Sequence, residues 1–182
     1  MLTQQTIHKP DKRNSKKTNM NITILITGGT IDNLEYDHED DVPKNQKSLI
    51  PDLIKQARIT ESIETKVVCF KDSKFVNDTE REQMLLHCKT SSSNNIIITH
   101  GTMTMPETAM YLGVHNLKKT IVLFGAAFPG NKSNSDALFN LGLAMAAVKT
   151  LAHGVYVTMN GQIFSHDNVK KNLETGNFET LS

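Results

Sequence analysis

Two short turns hold residue types suited to acyl chemistry, "TGGTID" at 27–32 and "THGTMT" at 99–104. Each ends an apolar run, and each joins threonine hydroxyls to glycine. A threonine hydroxyl is a poor nucleophile until a neighbouring base withdraws its proton, and a tyrosine or a lysine beside it makes a usable pair. Backbone N–H groups in glycine-rich turns can stabilise the oxyanion of a tetrahedral intermediate. Read singly, Thr30 and Thr102 also fit plain turn and N-cap duty. A dinucleotide site is a weaker match, because G-x-G-x-x-G needs a third glycine that "TGGTID" lacks.

Such turns need a frame that presents them at one edge. Apolar runs alternate with stretches of helical period, which predicts βαβ units and a doubly wound, mostly parallel α/β sheet with helices on both faces. The strands are "ITILIT" (22–27), "KVVCF" (66–70), "NIIIT" (95–99), "TIVLF" (120–124) and "GVYVTM" (154–159). None alternates with polar residues, as expected for strands covered on both faces. Helices are expected over about 47–57, 78–90, 106–116 and 135–150. The second has a capping-box spacing, with Asp78 or Thr79 ahead of Glu82. The fourth is stopped by Gly154. In sheets of this kind ligands bind outside the carboxyl ends of the strands, where both threonine turns fall.

The chain has 182 residues, 38% hydrophobic and 21% charged, with a formal net charge of +1. It fits one domain over 20–182, preceded by a basic, aperiodic leader over 1–19 expected to be disordered. The charge balance gives no case for nucleic acid or an anionic membrane surface. No apolar run approaches the length of a membrane span, of about 20 residues. The leader lacks the apolar stretch of a secretory signal. Cys69 and Cys88 read as reduced core residues of a cytoplasmic protein. Scattered histidines give no metal-ligand spacing, and no organic cofactor is suggested.

The order "ITILITGGTID", "IIITHGTMTMPETA", "TIVLFGAAFP", "SDALFNLGLA", "GVYVTMNGQIF" resembles the N-terminal domain of the bacterial-type L-asparaginases. Their signatures read T-G-G-T-I and H-G-T-D-T-M. The resemblance covers about residues 20–180 and looks closest to short-chain members that end after this domain. It implies hydrolysis of L-asparagine to L-aspartate and ammonia through a threonine nucleophile, without metal or cofactor. It places that nucleophile on Thr30, beside Gly29, with Tyr36 as its partner. It places the second pair on Thr102, beside Gly101, with Lys171 of "DNVKKN". Ser73 matches a serine that contacts the substrate α-carboxylate, and Asp72 adjoins it. It further implies a homo-oligomer. His100 is assigned to holding the turn in shape.

One position departs from the signature: the aspartate that holds the substrate α-ammonium is Met103 here. A thioether carries no charge and accepts hydrogen bonds only weakly. Losing one partner of a buried charge pair costs about 2 to 5 kcal/mol. Three explanations follow: Asp32, Asp37 or Asp72 supplies the carboxylate; the substrate is an amide without a free α-amino group; or the chain is a degenerate binding module for a small dicarboxylic amino acid or a partner protein. The missing carboxylate also favours a neutral Lys171 if the site is desolvated.

Overall fold

The structure is a computed structural model describing residues 21–36 and 42–181. The leader over 1–19, Met20 and the candidate carboxylate Asp37 lie outside the described residues. Six strands form one sheet in the order β2-β1-β3-β4-β5-β6. They are β1 (Ile22–Gly28), β2 (Ile63–Lys71), β3 (Asn95–Thr99), β4 (Thr120–Phe124), β5 (Gly154–Met159) and β6 (Gln162–Ser165). The first five run parallel and β6 returns antiparallel to β5. The helices are α1 (Ile50–Gln56), α2 (Asp78–Thr90), α3 (Met105–Gly113) and α4 (Ala137–Thr150).

Strand side chains alternate between two cores. Ile22, Ile24, Ile26 and Ile97 pack with Ile50 and Leu53 of α1 and with Ala144 and Val148 of α4. Leu25, Ile96 and Ile98 pack with Met84 and Leu85 of α2 and with Ala109 and Leu112 of α3. Helices therefore cover both faces, and every residue of β1 is buried. Truncating one such aliphatic side chain typically costs about 2 to 5 kcal/mol, so the strands that carry the threonine turns are firmly seated.

Several expectations change. Residues 66–70 are the middle of a longer strand at the sheet edge, and Val67 is 52% exposed there. Edge position leaves one side of that strand uncovered, so Cys69 is only half-buried while Cys88 is core. Both cysteines are free, and burial pushes each thiol up to about 12. The α2 capping box is Asn77 with Glu80, because the Asn77 side chain accepts from Thr79 N–H while Glu80 accepts from Asn77 N–H. Leu151, in an extended conformation, ends α4, and Gly154 opens β5. Two short strands, β7 (Lys170–Lys171) and β8 (Phe178–Glu179), form a separate antiparallel pair that the apolar pattern did not reveal.

Candidate active site

β1 and β3 are adjacent and in register, Ile26 opposite Thr99, so their carboxyl ends release the two turns side by side. Immediately before the turns, Thr27 N–H donates to Thr99 Oγ1 at 3.2 Å and Thr27 Oγ1–H donates to Thr99 O at 2.6 Å. Beyond this clamp the turns touch through their backbones. A Cβ on Gly29 would stand 2.7 Å from both Cα and N of Gly101, and Gly29 has a φ of +84°. Only glycine satisfies both conditions. A Cβ on Gly101 would in turn meet Ser73 Oγ at 2.6 Å. Residues distant in sequence thus form one packed floor.

Ser73 sits in the 3-10 turn after β2, with its side chain buried. Its Oγ accepts from Met103 N–H at 3.1 Å, and its carbonyl accepts from Thr104 Oγ1–H at 2.7 Å. The hydroxyl expected to meet a carboxylate therefore also pins the second turn. Tyr36 Oη accepts from Asp72 N–H at 2.7 Å, so the first turn's loop is fastened to the same segment. Burial raises the Tyr36 pKa.

His100 lies behind the second turn and is fully buried. Its Nδ1–H donates to Gly101 O at 2.8 Å, leaving Nε2 to accept from Thr108 Oγ1–H at 2.9 Å. Arg81 Nε–H donates to Thr108 Oγ1 at 3.2 Å and completes the chain. Burial lowers the His100 pKa to about 4, so the imidazole is neutral and shapes the turn, as its place in the sequence suggested.

Lys171 reaches in from β7. Its Nζ stands 2.8 Å from Thr102 Oγ1 and 3.8 Å from Met103 Sδ. Burial lowers its pKa, and the charge of Asp72 works in the opposite direction. Of the described candidates for a replacement carboxylate, Asp32 is disqualified: it is buried, and its Oδ1 accepts from Ser48 Oγ–H and Leu49 N–H, both at 2.8 Å. Asp72 remains, half-buried, with its Oδ1 accepting from Lys74 N–H.

Thr30 opens a 3-10 turn at the mouth of a cavity of about 160 Å³, shared with Gly29, Asn33, Tyr36, Asp72 and Pro129. Thr30 and Tyr36 face the same space, but the hydrogen bond of Tyr36 goes to Asp72 and not to Thr30. All nine expected site residues gather at the carboxyl ends of β1, β2 and β3, or reach there from β7. Residues not anticipated are those that hold them: Thr27, Thr99, Thr104, Thr108 and Arg81. Asp136 belongs with these, because its carboxylate accepts from Ala127 and Phe128 N–H and so orders the loop that carries Pro129. Each acts through a contact distant in sequence, and only the sequence fragment "SDALFN" drew attention to Asp136. Among the described residues no cluster of three or more histidine, cysteine, aspartate or glutamate side chains is placed to hold a metal. No helix among them is long and apolar enough to cross a membrane.

The family model described as asparaginase, N-terminal, matches residues 21–182. A probable periplasmic L-asparaginase of Haemophilus influenzae is 30% identical over 164 residues, 85% of this chain and 47% of that protein. A glutaminase-asparaginase of Pseudomonas aeruginosa is 31% identical over 177 residues, 88% of this chain and 48% of that protein. The solved structure of a probable cytoplasmic L-asparaginase from Campylobacter jejuni superposes with a TM-score of 0.72 at 31% identity, covering 88% of this chain and 52% of that one. The chain thus spans about half the length of these relatives.

Proposed function

The chain belongs to the asparaginase family, and from that premise we propose that it is an amidohydrolase acting on the side-chain amide of asparagine or a derivative of it. The observation that carries this reading is the Lys171 Nζ to Thr102 Oγ1 contact of 2.8 Å, in a turn packed against the one that bears Thr30. Thr30 is proposed as the nucleophile, with the Tyr36 hydroxyl, once it has left Asp72 N–H, receiving the Thr30 proton as it delivers its own to the departing amide nitrogen. Thr102 and Lys171 form the second pair. A lysine works as a base only when neutral, and the desolvation that lowers its pKa favours that form. The N–H groups of Gly29 and Met103 are taken by Lys71 O and Ser73 Oγ, so oxyanion donors would come from the other N–H groups of the two turns. Attack on the amide carbon forms an ester and expels ammonia, which carries away the proton taken from the hydroxyl; water then hydrolyses the ester to the carboxylic acid. No metal or cofactor enters this scheme.

Ammonia release from an amide panel tests the proposal. Thr30→Ala and Thr102→Ala should each abolish release while leaving the melting temperature nearly unchanged. Unchanged release in both would sink it, and binding of aspartate or asparagine without any release would favour a non-catalytic module. A cytoplasmic location and a homo-oligomer belong to the same proposal. They are supported by two free thiols and by exposed apolar side chains such as Val114, Phe139 and Ile163.

A further inference from the structure

Next to the Lys171 and Met103 pair a groove of about 900 Å³ opens between α2, α3 and the segment that carries β7. Met103 and Lys171 form its wall on the Thr102 side. Apolar side chains line it and are left uncovered: Met103 is 48% exposed, Met110 41%, Leu173 72% and Leu181 54%. Water-exposed thioethers and leucines in a concave surface gain most from an apolar ligand group.

The charges of the groove select further. Lys74, Arg81, Lys170 and Lys171 line it against two carboxylates, Asp78 and Glu107. Asp78 already pairs with Arg81 at 2.8 Å, and Glu107 stands exposed. Asp72 lines the smaller cavity on the Thr30 side instead. A ligand ammonium beside Met103 would meet a thioether and the Lys171 ammonium or amine, and of the two groove carboxylates Asp78 is already taken by Arg81. A ligand carboxylate would find a cation, and an uncharged apolar group would find methionine and leucine.

We propose that this groove is the subsite for the non-reacting end of an N-acylated amide, an asparagine-type substrate whose α-nitrogen carries an apolar acyl group. The inference rests on the amidohydrolase reading for its reacting end, and Met103 is its specificity determinant. Acylation removes the ammonium that Met103 cannot pair, keeps the carboxylate and supplies the apolar group.

Binding of N-phenylacetyl-L-asparagine and of L-asparagine is measured by calorimetry on the full chain carrying Thr30→Ala, which removes the proposed nucleophile. The acylated compound should bind about tenfold or more tightly than asparagine, a difference that a partly buried phenyl ring readily supplies. Met103→Asp should invert the order. Met110→Asp should weaken only the acylated compound, by about tenfold. Met103 and Met110 are surface side chains, so both variants should fold, and circular dichroism melts verify it. Equal or tighter binding of asparagine by the Met103 chain, or failure of the folded protein to bind either compound, overturns the proposal. An acyl preference that is indifferent to both substitutions also overturns it. Ammonia release is followed separately with Thr30 intact. If no amide is turned over while the acyl preference stands, the hydrolase reading fails and the subsite remains.

Discussion

Acidification should weaken this protein through His100 before its carboxylates matter. The imidazole is fully buried, its Nδ1–H is committed to Gly101 O, and its Nε2 must accept from Thr108. Protonation would turn that acceptor into a second donor, with the Arg81 guanidinium nearby. Burial accordingly lowers its pKa from 6.5 to about 4. Between these values the unfolded chain binds the proton and the folded chain does not. Stability is therefore complete above about pH 6.5 and is lost as pH falls toward 4. At about 1.4 kcal/mol per unit of pKa shift the full loss is about 3 kcal/mol. Roughly 2 kcal/mol of it should be gone by pH 5, which for a chain of this size lowers the melting temperature by about 4 to 8 °C.

The assay is thermal and urea unfolding from pH 7.5 to 4.5, comparing the natural chain with His100→Gln. Glutamine keeps a polar group facing Thr108 but does not titrate. The variant is expected to be less stable at pH 7.5 and to show a flatter pH dependence between 7 and 5. Glu61, Glu80 and Asp167, whose pKa values are lowered by their partners, lose their contributions in both proteins at lower pH. They cancel in the comparison. Parallel curves for the two proteins between pH 7 and 5 would refute the assignment of His100 as a buried neutral strut.

The backbone contact between the turns predicts that Gly29→Ala and Gly101→Ala each cost about 2 to 4 kcal/mol, a fall of roughly 5 to 15 °C in melting temperature, because the added methyl meets backbone or Ser73. Asp136→Ala removes the acceptor for Ala127 and Phe128 N–H and should cost about 1 to 3 kcal/mol, with faster amide exchange at both positions as the readout. Because burial lowers the Lys171 pKa, ammonia release should rise with pH and level off below the ordinary lysine value; Lys171→Met should remove that rise while leaving the melting temperature within a few degrees. A release profile that Lys171→Met leaves unaltered would take the lysine out of the proposed chemistry.

What could be read in the sequence was what depends on neighbours along the chain. The runs that became β1, β3, β4 and β5 are continuous and apolar because helices cover them on both faces, and their positions follow. β2 is longer than its apolar run because an edge strand needs no apolar residues at its exposed positions, Glu64 and Thr65 among them. The α2 bounds follow from the sequence, but its capping pair is Asn77 with Glu80 and not Asp78 or Thr79 with Glu82, because Thr79 with Glu82 repeats the same spacing two residues on. β7 and β8 are two residues each, and their pairing lies between segments that carry no periodicity. That the candidate residues share one sheet edge followed from the two threonine motifs and the resemblance, while their roles belong to the proposal. The Thr27 to Thr99 clamp and the Gly29 to Gly101 contact were not legible, because the sheet order brings their residues together, and neither was the chain from Arg81 to His100, which depends on how α2 packs against α3.

In the proposed reading, the methionine that stands where the family signature has aspartate acts on two groups at once. A carboxylate there would lie near Lys171 Nζ, which now stands 3.8 Å from the methionine sulfur, and would hold the lysine charged. The methionine leaves desolvation as the larger influence, with Asp72 as the opposing charge. A neutral amine 2.8 Å from Thr102 is a better base than an ammonium locked in an ion pair. In the same reading, the methionine takes the place of the group that the resemblance implies would hold a ligand ammonium. A substrate with a free ammonium therefore loses its anchor, while one without it meets a more available base and an apolar wall. Met103→Asp should then show opposite effects on the two: tighter binding of asparagine, and a pH profile for release displaced upward as Lys171 regains its charge. Tighter binding without that displacement would mean that Lys171 does not sense position 103, and the coupling of base strength to substrate class would fall.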